Sequence, residues 1–430
     1  MHIPVAITSA APATLFVVAP GLPGMPRSNY TDNLVAMTRA AKSYGAQLVP
    51  VLPTSFKGSL PPEISPPLLL DAPHRGDELA RAARTHVPRV TQILPLREAM
   101  VIPAAQASSE LTLEDPVPAL AALRARDKLT MKTALMAAGL DVADFTALDT
   151  LDGLEAFARK HNYHVVVKPR EDASCLGTHL IHTEADVKQV WDAIQSSAET
   201  YIAEAFVDVA AEYHSNLIVR GGKAVFHGLG KYSSPLLQDL FACDITRHLN
   251  LTPIEASIKQ MSLRVLRALG IEHEIAPAHI EYLVTSDGRL LVGEAALRLP
   301  GGAIVSLFEH TTGVNMAAAW IHALLNPHYT AEQTTPQHDL ASELIGLNEA
   351  VKLEEIPSLE ALQQEAPEIV ALLQWADAGD TIPAALGSSA NRFASVFFNV
   401  DPNSNFADTR KKVRDLVYGG LRVLPLRKAV

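Results

Sequence analysis

The stretch that decides the fold is His279-Ile280-Glu281-Tyr282-Leu283-Val284-Thr285, Ser286-Asp287-Gly288, then Leu290-Leu291-Val292-Gly293-Glu294 and Ala295-Ala296-Leu297-Arg298-Leu299-Pro300-Gly301-Gly302. Two apolar β-prone runs flank an Asp-Gly pair, which signals a hairpin over His279–Thr285 and Leu290–Gly293. The hairpin brings Glu281 and Glu294 onto adjacent strands, where cross-strand neighbours lie roughly 5 Å apart. Two carboxylates aimed at one point suit a Mg²⁺ ion that is also held by polyphosphate oxygens. Arg298 follows Glu294 by four residues and can reach a phosphoryl or carboxylate group. Gly301-Gly302 lets backbone N–H groups approach an anion. Read alone, the stretch also suits an exposed hairpin with charged outer positions.

Working outward, Val165-Val166-Val167-Lys168-Pro169 is a strand ending in a lysine, which must meet solvent or an anion. The small and hydroxyl residues that follow, with Ser174 and Gly177 among them, suit a flap over phosphates and equally an ordinary turn. Ala203-Glu204-Ala205-Phe206-Val207, with Glu212 beyond it, could line an apolar slot for a base and offer a carboxylate to ribose hydroxyls; an edge strand with solvated acids has the same pattern. Arg126-Asp127-Lys128 lies within a helical stretch that runs from Pro118 and closes at Gly139, where a routine charged helix N-terminus has the same pattern.

The order and spacing of these pieces resemble the ATP-grasp superfamily over about residues 111–330, and within it the carboxylate–amine ligases that include the L-amino acid ligases. The resemblance implies an α/β chain with three parts. A Rossmann-like pre-ATP-grasp domain takes residues 1–110. An ATP-grasp core over 111–330 contains a mobile lid at about 132–203, and a C-terminal α+β subdomain over 331–430 completes it.

The resemblance also implies roles for single residues. Lys128 and Lys168 match ATP-phosphate lysines, and Ser174 and Gly177 match the phosphate loop of the lid. Glu204, Phe206 and Val207 match the adenine hinge, Glu212 the ribose carboxylate and Leu283 the floor of the base slot. Glu281 and Glu294 match metal ligands. Arg298 matches the catalytic arginine, and together with Gly301, Gly302 and His279 it would face the substrate or acyl phosphate; a structural role for His279 stays open. The cofactors implied are ATP and Mg²⁺, with Mn²⁺ as an alternative. The reaction implied joins a small-molecule carboxylate to an amine, amino acids foremost, through an acyl phosphate. Bicarbonate-dependent carboxylation, a purine-pathway ligase and a nucleotide-binding scaffold without catalysis are the rival readings. Many members carry Asn two residues after the second glutamate; Ala296 stands there, which leaves the second metal's coordination open.

Composition narrows the field further. The chain has 430 residues, 48% hydrophobic, enough for more than one packed unit. A net charge of -11 argues against nucleic acid as a partner. Two cysteines, Cys175 and Cys243, are too few for a disulfide framework and suit a reducing cytoplasm. No apolar run reaches roughly 18 residues, so no membrane span is expected. The start has no Lys or Arg before Arg27, unlike a secretory leader. The strand–helix–strand pattern over Thr14–Ala19, Asn33–Gly45 and Leu48–Leu52 predicts a parallel sheet, and this first domain could supply a homodimer face. A dinucleotide site is disfavoured, because Pro20, Pro23 and Pro26 interrupt the first loop and no G-x-G-x-x-G follows. Ser358–Leu373 is expected as one helix.

Overall fold

A computed structural model describes residues 13–19, 28–171, 177–239, 242–384 and 392–426. The expected sites at Ser174 and Cys175 and the 20–27 loop lie outside the described residues. Among the described residues, no helix is long and apolar enough to cross a membrane.

The first unit is a parallel sheet in the order Leu68–Leu70, Gln47–Pro53, Thr14–Val18, Val90–Pro95. Strand alternation splits its side chains between two cores. Phe16, Val18, Val49 and Val51 pack on Leu79 of the Gly76–Thr85 helix, on Ala104 of the Val101–Glu110 helix and on Met100 just before it. Leu15, Val17 and Leu48 turn the other way, toward Met37 of the Asn29–Ser43 helix and on to Phe308 and Trp320 of the central unit. The latter cluster is shared, so this unit is fastened to the rest through apolar packing. The first helix starts at Asn29, four residues before the expected start, because its polar first turn carries no apolar period. The Leu68–Leu70 strand ends the Pro-rich loop and is too short to show a period.

The second sheet runs Phe145–Ala147, Tyr201–Ala205, Val165–Pro169, His179–Ile181, all antiparallel. Val165, Val167 and Ala203 face the helices Leu151–Lys160 and Glu184–Ile194 and form a separate core with Leu154, Val187 and Ile194. By the same alternation Val166, Lys168 and Glu204 face the opposite side. The Lys128–Ala137 helix does not belong to this unit. Its Met131 and Leu135 pack with Leu217, Ile280 and Val292 of the central sheet, so the separate lid core begins near Leu148 rather than at 132. The helical stretch before Gly139 is two helices, Ala119–Arg124 and Lys128–Ala137. Asp127 caps the second, accepting a hydrogen bond from Thr130 N at 2.7 Å and pairing with Arg170.

The third and largest sheet is antiparallel in the order Leu290–Ala296, Ile275–Thr285, Val209–Arg220, Lys223–Tyr232, Asp244–Thr246, Asp339–Ile345, Ala394–Val400, Ile369–Gln374. The hairpin expected around Asp287-Gly288 is its edge, with Gly288 at φ +84°. The C-terminal strands continue this sheet through Asp244–Thr246. One expectation fails here. The helix from Leu359 stops at Glu365, and Ile369–Gln374 is a strand paired with Ala394–Val400. Pro367 explains the break, since the residue before a proline is pushed out of helical geometry.

The Pro253–Leu269 helix carries a full capping box, Thr252 with Glu255, and stops at Gly270 in the left-handed region (φ +98°). Replacing Thr252 by Ala should cost about 1 kcal/mol. A denaturant midpoint unchanged in that variant would show that the box contributes nothing.

Candidate active site between the lid and the large sheet

The lid sheet and the large sheet enclose a cleft of ≈ 1030 Å³ of empty space, open to solvent at its mouth. Along Ile275–Thr285, Ile280 and Tyr282 pack inward and are fully buried. Period-two alternation turns Glu281 and Leu283 to the cleft, and both line it. Glu294 pairs directly opposite Glu281, as the hairpin predicts. A register shift between Glu281 and Tyr282 leaves Gly293 as the extra residue of a bulge, a device that re-aims side chains beside sites.

One end of the cleft is apolar, built by Val166, Ala205, Phe206, Val207, Leu236 and Leu283. The other end is charged. Lys128 Nζ lies 3.3 Å from Glu294 Oε1. Lys168 Nζ lies 3.1 Å from Glu204 Oε1, and Lys132 Nζ 3.3 Å from Glu204 Oε2. Burial works to lower the Lys168 pKa, but Glu204 and Glu294 outweigh it and hold the ammonium above its usual value. For fully buried Lys132 burial wins, and its pKa falls. Burial would raise Glu204, yet the two lysines hold it low. The carboxylate of Glu204 therefore sits between two ammonium groups, while Phe206 and Val207 after it line the apolar slot. Glu212 lines the cleft and accepts a hydrogen bond from Leu236 N at 2.8 Å. Burial, with Glu281 adding to it, pushes the Glu212 carboxyl up.

Glu281 is braced from behind. Tyr232 donates to its Oε1 at 3.2 Å, and His279 Nε2 lies 3.4 Å from the same oxygen. Neither contact uses Oε2. Burial pushes the Glu281 carboxyl up, but His279 and Tyr232 outweigh it and keep the group ionised. His279 Nδ1 is 2.8 Å from Asn216 Oδ1, and Asn216 Nδ2 is 2.8 Å from His214 Nδ1. His279 is thus buried in a polar chain and absent from the cleft lining. Two carboxylates facing one cleft, Glu281 held by Tyr232 and His279 and Glu294 by Lys128, are a hard-oxygen donor set that fits Mg²⁺.

Arg298 is partly buried and donates through Nη1 to Leu299 O at 3.0 Å, while Nε pairs with Glu98 from the first unit. Arg126 Nη1 lies 3.8 Å from the same Glu98. Glu98 is 200 positions from Arg298, so nothing local in the sequence could expose the pairing. Glu98→Ala should leave two buried guanidiniums without their carboxylate and destabilise the fold by about 3 kcal/mol, read from denaturant unfolding. Gly301 and Gly302 form the turn before the Ile304–Thr312 helix, with Gly302 at φ +59°. Gly177 has φ +67°, and a Cβ there would come within 2.9 Å of Pro169 Cγ. Lys132 escaped the sequence reading, although its spacing of four from Lys128 puts both on one helix face. The Pro235–Gln238 segment, which lines the cleft beside Glu212, carries no sequence signal either.

Comparison with known proteins agrees with this architecture. Residues 133–307 match the ATP-grasp domain family. An L-arginine-specific L-amino acid ligase of Bacillus subtilis is 28% identical over 202 residues, 45% of this chain and 48% of that protein. The chain thus spans about half the length of this curated relative. The crystal structure of an L-amino acid ligase from Bacillus licheniformis superposes with a TM-score of 0.74 at 17% identity, covering 97% of this chain and 100% of that one. A phosphoribosylglycinamide synthetase from Anaerococcus prevotii gives 0.68 at 15%, over 96% and 100%. These likenesses establish an ATP-grasp fold; residues 133–307 resemble the ATP-grasp domain, and the chain resembles the L-amino acid ligases in sequence and architecture.

Proposed function

We propose that the chain is an ATP-dependent carboxylate–amine ligase that forms an amide bond through an acyl phosphate and releases ADP and phosphate. The observation that carries this reading is the pairing of Glu281 with Glu294 across the hairpin, in the same cleft as Lys128 and Lys168 and next to the apolar slot of Phe206, Val207 and Leu283. The slot takes the adenine, and Glu212 takes the ribose hydroxyls. Lys128 and Lys168 exchange their carboxylate partners for phosphate oxygens. Glu281 and Glu294 hold Mg²⁺, with Mn²⁺ as an alternative. Bound there, the ion supplies neutralisation of the charge that spreads over the transferring phosphoryl group.

The substrate carboxylate attacks the γ-phosphorus, and ADP leaves. Arg298, fixed in direction by Glu98, steadies the phosphoryl group, and the amides of the Gly301-Gly302 turn hold the acyl phosphate. The amine nitrogen then attacks the acyl carbon, phosphate leaves, and the nitrogen loses a proton. Water would hydrolyse the acyl phosphate, so the lid built on the Leu148–Ala203 core closes before transfer. The name of the Bacillus subtilis relative supports amino acids as substrates, and hence a dipeptide product.

Incubation with ATP, Mg²⁺ and paired amino acids, read by mass spectrometry together with ADP release, tests the reading. A condensed product that requires both amino acids is expected. Phosphate release that depends on bicarbonate, without such a product, would replace it by the carboxylase reading. ADP release from no acid–amine pair would favour the inactive scaffold.

A further inference from the structure

A second cavity lies in the C-terminal part, bounded by Gly346, Asn348, Arg392, Arg414 and Tyr418, with Leu344 on its wall. Its position follows from the large sheet. The Asp339–Ile345 strand carries Leu344 and ends at Gly346, and Tyr418 of the Phe406–Gly420 helix pins that end by donating to Gly346 O at 2.8 Å. The Arg392 guanidinium lies directly over Gly346. A Cβ at 346 would fall 2.1 Å from Arg392 Nη1, so the missing side chain makes the seat for this arginine. Arg392 is 8% exposed. Arg414 stands over the Tyr418 ring at 5.5 Å.

The charge around this cavity is cationic. Glu343 is shared: Oε2 accepts from Arg410 Nε at 2.7 Å, and Oε1 lies 3.5 Å from Arg414 Nη1. Asp415 also lines the cavity, but its carboxylate is engaged by Lys411. Burial and the neighbouring Arg414 both work against the Arg392 charge. The guanidiniums of Arg392 and Arg414 stand at the edge of one concave space, Arg414 with Glu343 beside it, and two cations so placed suit an oxyanion that accepts from both.

The cavity also adjoins the reaction site. A Cβ at Gly302 would meet Leu344 Cδ1 at 3.5 Å, so the leucine that lines the cationic space also lies against the Gly301-Gly302 turn. We propose that this cavity receives the distal anionic group, a carboxylate or phosphate, of the amino-acid substrate handled at the Gly301-Gly302 turn. The proposal rests on the ligase reading above for the identity of that turn. It adds the substrate class: an amino acid with an acidic side chain, its reacting end at the turn and its side chain past Leu344.

The test is a binding measurement, so it stays readable if ligation fails. The protein is saturated with a non-hydrolysable ATP analogue and Mg²⁺. Aspartate, glutamate and O-phosphoserine are then titrated calorimetrically against their neutral counterparts asparagine, glutamine and serine. The acidic members should bind at least about tenfold more tightly. Arg392→Gln should abolish that preference and leave the neutral members unchanged, and Arg392→Lys should restore part of it. Aspartate and glutamate against O-phosphoserine decide between carboxylate and phosphate. Inorganic phosphate should compete with the preferred acid. Equal binding of acidic and neutral members, or a preference that survives in Arg392→Gln, overturns the proposal. Phosphate that binds through Arg392 without competing would make the cavity an effector site, and also overturns it. Should Arg392→Gln not fold, Arg414→Gln at the half-exposed rim takes its place with the same expectations. A preserved acidic preference with no ADP release from any pair would instead count against the ligase reading alone.

Discussion

Glu294→Gln should lower ATP-dependent turnover by at least about 100-fold while the protein still unfolds in a single cooperative transition. The amide keeps the shape of the side chain and removes the charge. Glu294 stands opposite Glu281, and the carboxylates of these two strands together give a hard cation two anionic protein ligands on this cleft. The exchange also takes the carboxylate from Lys128, 3.3 Å away, but the glutamine keeps an amide oxygen at that position to accept from the lysine. Stability should therefore change far less than activity. Wild-type turnover in this variant would refute Glu294 as a metal ligand. Loss of the folded state would instead mean that the Lys128 pair is structural.

The second large effect separates two lysines that share one carboxylate. Lys168→Ala should weaken ATP binding roughly tenfold to a hundredfold, about 1.5–3 kcal/mol for a charged hydrogen bond to phosphate, with modest loss of stability. Lys132 remains to compensate Glu204 in that variant. Lys132→Ala should act the other way. Its side chain is 2% exposed, and its removal leaves a cavity and a half-compensated buried carboxylate. That should cost about 3–5 kcal/mol of folding free energy. Calorimetric ATP titration and urea unfolding on both variants give the comparison. Unchanged ATP affinity in Lys168→Ala would remove it from the phosphate site. A Lys132→Ala protein of wild-type stability would show that Glu204 needs only Lys168.

The parts of this site legible in the sequence are those that local pattern encodes. The Glu281–Glu294 hairpin was readable because Asp287-Gly288 fixes the turn and the pairing follows from it. Lys168 was readable because period-two alternation makes a charge at the end of Val165-Val166-Val167 conspicuous. Thr252 and Gly270 marked their helix because caps obey local backbone chemistry. What stayed hidden depends on contacts between distant segments. Glu98 meets Arg298 across two units of the fold, and Asn216 reaches His279 from a neighbouring strand. The strand at Ile369–Gln374 was misread because a short apolar run after a helix has no period of its own, and Pro367 was the overlooked signal. The lid boundary was set too early because the polar side of the Lys128–Ala137 helix hides its packing on the central sheet. Ala296 is buried at the hairpin's end, opposite His279, so its position offers no side-chain oxygen to a cation.

The central claim is that a substrate carboxylate becomes an acyl phosphate before the amine attacks. Transfer of ¹⁸O tests it most directly. The amino-acid pair giving the largest ADP release is supplied with its activated carboxylate labelled with ¹⁸O, and the phosphate released is analysed by mass spectrometry. One labelled oxygen in each phosphate formed with product is the expected result, because the carboxylate oxygen that attacks phosphorus leaves with it. Amide product accompanied by unlabelled phosphate would contradict the account.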